Sequence, residues 1–118
     1  MHLTVIPEDK AIYLDTPNAV NVPTIFPERR IHNIEDQEFW NSVDPRIHAI
    51  QYHTDGVQEI EYKNPGENVA ITDSATVQKY IDKFNSVEQV YQAQLTWDNN
   101  NVQGETNEQK IARLGPRP

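Results

Sequence analysis

The sequence predicts a small α+β domain: an antiparallel sheet of two β-hairpins with a candidate fifth strand, a long C-terminal helix and an extended terminal arm. Three observations predict it. Alternating runs flank Asp55-Gly56 between Arg46 and Lys63, two shorter runs flank Pro7–Lys10, and apolar residues recur at helical spacing from Val77 onward.

Length and composition set the scale. A chain of 118 residues is one domain, and 36% hydrophobic residues lies below the usual globular share of roughly 45–50%, a figure that includes glycine. The core is therefore small, and contacts with other chains can supply part of the stability. A formal charge of −8 argues against nucleic-acid binding, which needs clustered lysine and arginine. The absence of cysteine removes disulfides, thiolate metal sites and thiol nucleophiles. No apolar run approaches the roughly 20 residues of a membrane span, so no membrane partner is expected. The N-terminus lacks a basic region followed by an apolar block, which predicts a protein made and used without export.

The first hairpin joins Leu3–Ile6 to Ala11–Leu14. A four-residue turn sets Ile6 opposite Ala11, Val5 opposite Ile12 and Leu3 opposite Leu14. Leu3, Val5, Ile12 and Leu14 then share one face, and Pro7 opens the turn without removing a ladder hydrogen bond.

Residues 16–44 read as a proline-rich insertion. Pro17, Pro23 and Pro27 make the first part an extended connector or surface arm, with Val20, Val22, Ile25 and Phe26 able to pack on something. Within the rest, Asn33 to Trp40 fits one short helix capped by Asn33 and anchored by Phe39 and Trp40.

The central hairpin has two possible registers. A two-residue loop mixes apolar and charged residues on both faces. A three-residue loop, Thr54-Asp55-Gly56, sets His53 opposite Val57, Tyr52 opposite Gln58, Ile50 opposite Ile60 and His48 opposite Tyr62. Ile50, Tyr52, Ile60 and Tyr62 then form one face, and Gln51, His53, Glu59 and Glu61 the other. A slip of one residue would invert every side chain, so the segregated register is preferred. It puts Gly56 in the left-handed position of a bulged loop. Ile47, Ala49 and Val57 fall on the acidic face, which is then partly covered.

Asn64-Pro65-Gly66 is a turn, and Val69–Thr72 is the candidate fifth strand. Asp73 or Ser74 caps the long helix, expected over about 74–96. Val77, Tyr80, Ile81 and Phe84 mark its apolar side, which Val87, Val90, Tyr91 and Leu95 continue. A break near Asn85 is the alternative. The compact domain is thus 1–96. Residues 97–118 form a C-terminal extension with a possible last helix, Thr106 to Leu114, capped by Thr106 and stopped by Gly115.

Catalytic constellations are weak. His48 and His53 point to opposite faces by strand periodicity, so a metal pair is not expected. Glu59 and Glu61 share a face, but an exposed one, and acid–base work needs pKa values split by burial. No phosphate-binding glycine loop or nucleophile elbow is present. The expectation is no enzyme activity, no cofactor and no metal. The candidate interface residues are Pro23, Ile25, Phe26, Phe39, Trp40, Trp97, Arg113 and Arg117, aromatic or proline-flanked side chains near loops and cations of the tail.

Pro45 to Tyr52 (PRIHAIQY), a glycine turn, Val57 to Lys63 (VQEIEYK), Val69–Thr72 and the helix from Ser74 resemble a group of small tailed-bacteriophage proteins. In these an IHAIQW-type strand precedes a glycine turn and a GEIEY-type strand. Tyr52 stands here where that pattern usually has Trp. The likeness covers about residues 1–15 and 45–84, and 16–44 looks like an expansion of a short link. The resemblance implies a phage protein associated with tail or tail-fibre modules. The leading expectation, from the small core, extended arms and acidic surface, is a non-catalytic virion component of the tail. It would dock through its loops and terminal segment onto other tail or fibre proteins, as a possible homo-oligomer in a symmetric assembly. Such a protein would sit in the virion tail, and in the host cytoplasm during assembly. The alternatives are an assembly factor that leaves before the particle is complete, an acidic inhibitor of a host protein, and a small hydrolase.

Overall fold

The computed structural model describes residues 1–15, 28–31, 34–64 and 66–118. It divides into two compact units, Met1–Phe84 and Asn85–Pro118, which meet inside a helix rather than at 96/97.

The first unit holds a six-stranded antiparallel sheet. The strands are β1 (His2–Ile6), β2 (Ala11–Asp15), β3 (Glu28–Ile31), β4 (Ile47–His53), β5 (Gln58–Tyr62) and β6 (Val69–Ala70). Their order is β3-β2-β1-β4-β5-β6. The first hairpin has the predicted register, from Leu3 opposite Leu14 to Ile6 opposite Ala11. Pro7–Asp9 forms a 3-10 turn, and the Lys10 N–H donates to the Pro7 carbonyl at 3.0 Å. Lys10 itself takes the left-handed conformation, at φ 49°. β3 is the strand that the sequence reading missed; it pairs with β2, Ile31 opposite Ile12.

The central hairpin keeps the segregated register at its turn end, with Tyr52 opposite Gln58 and Ile50 opposite Ile60. At the far end a β-bulge intervenes. Ile47, not His48, stands opposite Tyr62, and His48 is the extra, exposed residue. The bulge moves Ile47 onto the face of Ile50, and both are buried. The expected left-handed Gly56 is absent: among the described residues the glycines at positive φ are Gly104 and Gly115. The Gly56 N–H instead donates to the His53 carbonyl at 2.9 Å, closing a turn that needs no positive φ.

Leu3, Val5, Ile12, Leu14 and Ile50 share the buried face. The helical layer of the unit buries Ile34, Trp40, Val77, Tyr80 and Phe84. α1 (Gln37–Asn41) is shorter than expected and is capped by Asp36, whose carboxylate accepts the Phe39 N–H at 3.0 Å. Asn33, the expected cap, lies outside the described residues, as do Pro23, Ile25 and Phe26 of the proline-rich arm. A 3-10 turn at Ser74–Val77, capped by Asp73, leads into α2 (Gln78–Asn99), which runs unbroken through Asn85.

The second unit contains the end of α2, a turn, and α3 (Asn107–Leu114). Thr106 caps α3 and Gly115 ends it, as the sequence predicts. The capping box is complete: Thr106 Oγ1 accepts the Gln109 N–H at 3.2 Å, and Gln109 Oε1 accepts the Thr106 N–H at 2.9 Å. Residues 97–118 are therefore helical for much of their length rather than an extended arm.

Candidate interaction surfaces

Those of the interface residues expected from the sequence that are described, Phe39, Trp40, Trp97, Arg113 and Arg117, are engaged within the protein. Trp40 is buried, and its indole N–H donates to the Ile34 carbonyl at 2.6 Å. Phe39 meets the Tyr80 ring edge to face, with centroids 5.8 Å apart. Burial pushes the Tyr80 hydroxyl up to about 12. The Lys83 ammonium bonds the Asp36 carboxylate, which holds that carboxyl below its usual range; the Phe39 N–H adds to the effect. These side chains tie α1 to the first turns of α2.

The second unit gathers Trp97, Arg113 and Arg117 around the turn between its helices. The Trp97 indole donates to the Gly115 carbonyl at 3.1 Å, and the Lys110 ammonium lies 4.0 Å from the ring centre. Arg113 reaches both Glu105 oxygens at 2.8 Å and the Asn100 side-chain oxygen at 2.8 Å. Arg117 makes a two-pronged contact with Asp98, each bond 2.9 Å. The arginines hold Asp98 and Glu105 below their ordinary range, chiefly by these hydrogen bonds.

Several large apolar side chains of this unit face solvent beside its polar ones. Val90, Tyr91, Leu95, Val102 and Ile111 are all at least 36% exposed. Among the described residues of 85–118 no apolar side chain is buried, and the buried residue is Lys110. Polar contacts, rather than a hydrophobic core, hold the helices together. Val87, Tyr91 and Leu95 recur at four-residue spacing and so share one side of the helix. The sequence marks this stripe plainly; what it does not mark is where burial ends. Charge follows the same division. Four of the 18 acidic and three of the 10 basic residues fall in 85–118, so that unit is formally −1 while 1–84 is −7.

The sheet's second face carries a polar cluster. The Thr4 hydroxyl donates to Gln51 Oε1 at 2.8 Å, and its oxygen lies 3.1 Å from His53 Nε2. The His2 and His53 rings are 4.7 Å apart. That cross-strand pair depends on β1 lying beside β4, which local spacing does not reveal. Among the described residues no group of three or more histidine or acidic side chains is placed to hold a metal ion. No helix among them is long and apolar enough to cross a membrane.

The first unit also carries a largely apolar groove of about 710 Å3, bounded by Pro45, Arg46, Tyr62, Lys63, Glu67 and Val69. The Arg46 guanidinium lies 5.8 Å from the Tyr62 ring centre and pairs with Asp44, whose carboxyl it draws down to about 2. Gly66 sits where no side chain fits: an added Cβ would lie 2.6 Å from the Lys63 carbonyl oxygen and 2.7 Å from Tyr62 Cβ.

Comparison of the chain with protein-family models, with curated proteins and with solved structures finds no match.

Proposed function

We propose that this protein is a non-catalytic structural component of a bacteriophage tail, docking through residues 85–118 onto a larger tail or tail-fibre protein. The observation that carries the reading is a helical unit with no buried apolar side chain and five large exposed ones. Covering such a surface with another chain gains roughly 25 cal/mol per Å2 of apolar area buried. The near-neutral charge of this unit keeps its docking free of the repulsion that the acidic first unit would bring to an acidic partner. The IHAIQY and EIEY strands add the phage context, through their resemblance to small tailed-bacteriophage proteins.

Mass spectrometry of purified phage particles tests the proposal. It expects the protein in the tail fraction at a fixed ratio to a tail protein. Absence from finished particles, with abundance in infected cells, would instead favour a transient assembly factor.

A further inference from the structure

β6 ends the sheet, pairing with β5 alone among the described strands. Val69 stands opposite Ile60, and the Ile71 N–H donates to the Gln58 carbonyl at 2.9 Å. Antiparallel alternation therefore turns the N–H and C=O of Ala70 away from β5, toward the open edge. Sheets usually blunt such an edge with a short strand, charge, proline or a bulge, because unpaired backbone groups accept another strand; β6 is short, two residues, and so offers one outward donor and acceptor. Here the edge strand is Val-Ala, and both residues are exposed. The groove of about 710 Å3 lies beside it and includes Val69 in its wall.

We propose that the open edge of β6 and the adjoining groove form one site, which takes an extended peptide segment of a partner chain as an added strand. Both features select the same ligand. The edge offers a main-chain donor and acceptor, which an extended backbone satisfies. The groove offers Pro45, Tyr62 and Val69 to aliphatic side chains, which a strand presents at every second position. Its charged lining is Arg46 and Lys63 against one carboxylate, Glu67. The acidic partners of these cations, Asp44 and Glu8, line a smaller hollow that shares Pro45 and Lys63 with the groove. Both ion pairs have an exposed cation, so exchange for an incoming carboxylate costs little. The segment is thus alternating, aliphatic on one side, with an acidic residue near Arg46 or Lys63. A second copy of this chain is a poor occupant, because edge-to-edge pairing would bring together two units of formal charge −7. The site shares no residue with 85–118, so it can stand or fall independently of the function proposed above.

The test is a titration of the 15N-labelled full chain with two blocked hexapeptides, alternating threonine and valine, one ending in glutamate and one in lysine. The glutamate peptide should shift the amides of Arg46, Tyr62, Lys63, Val69 and Ala70 saturably, and the lysine peptide should bind more weakly. Ala70→Pro removes the outward donor and leaves the N–H groups of Val69 and Ile71 in place. It should weaken binding roughly fivefold, the equivalent of one net hydrogen bond. Val69→Asp, which places a carboxylate in the groove wall against an acidic peptide, should likewise weaken binding of the glutamate peptide if the proline variant does not fold. Four results would each overturn the proposal: no shifts at millimolar peptide, shifts centred elsewhere, binding by a folded variant equal to the parent's, or self-association through β6 without peptide.

Discussion

The ammonium of Lys110 stands 4.0 Å from the centre of the Trp97 ring, and it bonds the Asn101 side-chain oxygen at 2.7 Å. Lys110 is only 9% exposed, yet it occupies the middle of a unit that buries no apolar residue. A cation over an indole face is attracted by the ring's quadrupole, and its four-carbon stem covers apolar surface at the same time. The link between α2 and α3 is thus partly electrostatic.

Lys110→Met retains most of the stem and removes the charge. It should weaken the α2–α3 contact by about 1 kcal/mol, within the range for a partly desolvated cation–π pair. The measurement is amide hydrogen exchange: α3 should lose protection while β1 and β4 keep theirs. Equal loss in both units would contradict the assignment.

Thr106→Ala should destabilise α3 by about 1 kcal/mol, since it deletes the oxygen that accepts the Gln109 N–H. Thr106→Ser should restore most of it. Helix-specific chemical shifts of residues 107–114 give the readout.

The pairs Arg113–Glu105 and Arg117–Asp98 make the second unit acid-sensitive. Both carboxyl groups have folded-state pKa values below their ordinary 4.5 and 3.8. Their contribution is therefore complete above those values, and is lost as pH falls through the folded-state values. Protection of α3 should hold from pH 7 to about 5 and decline below about 4. Replacing Arg113 and Arg117 with glutamine should flatten that decline.

Lys10 carries a left-handed backbone at φ 49° that L-residues adopt at a cost of roughly 1 kcal/mol. Lys10→Gly should raise the unfolding free energy of the first unit by a few tenths to about 1 kcal/mol, after the added freedom of the unfolded chain is subtracted. Chemical denaturation followed by Trp40 fluorescence measures it.

The parts of the fold that were legible in the sequence are those where one face must be buried. Leu3, Val5, Ile12 and Leu14 alternate, and a slip would expose all four, so the first register followed from the pattern. The central register followed as far as Ala49. There the bulge at His48 intervenes, and a single extra residue has no signature until its partner strand is known. β3 was illegible because Glu28-Arg29-Arg30-Ile31 has no apolar alternation; its place depends on pairing with β2. The last helix was legible through Thr106, Gln109 and Gly115, all local signals. The candidate surface was half legible. Val87, Val90, Tyr91 and Leu95 read as a continuous apolar stripe, but spacing cannot tell a stripe covered by its own sheet from one left for another chain. The candidate aromatics were the reverse case: Trp40 and Trp97 sit near loops in the sequence, yet both indole N–H groups bond within the chain.

The most direct test of the central claim is incorporation of a surface variant into phage particles. Val90→Ser, Leu95→Ser and Val102→Ser together remove apolar area from exposed positions, so circular dichroism and thermal unfolding should match the parent protein. Supplied in place of the parent during infection, the folded variant should be depleted at least tenfold from purified tails, since loss of about 1.4 kcal/mol of docking energy already gives that factor. Incorporation of the folded variant at the parent's level would contradict the account.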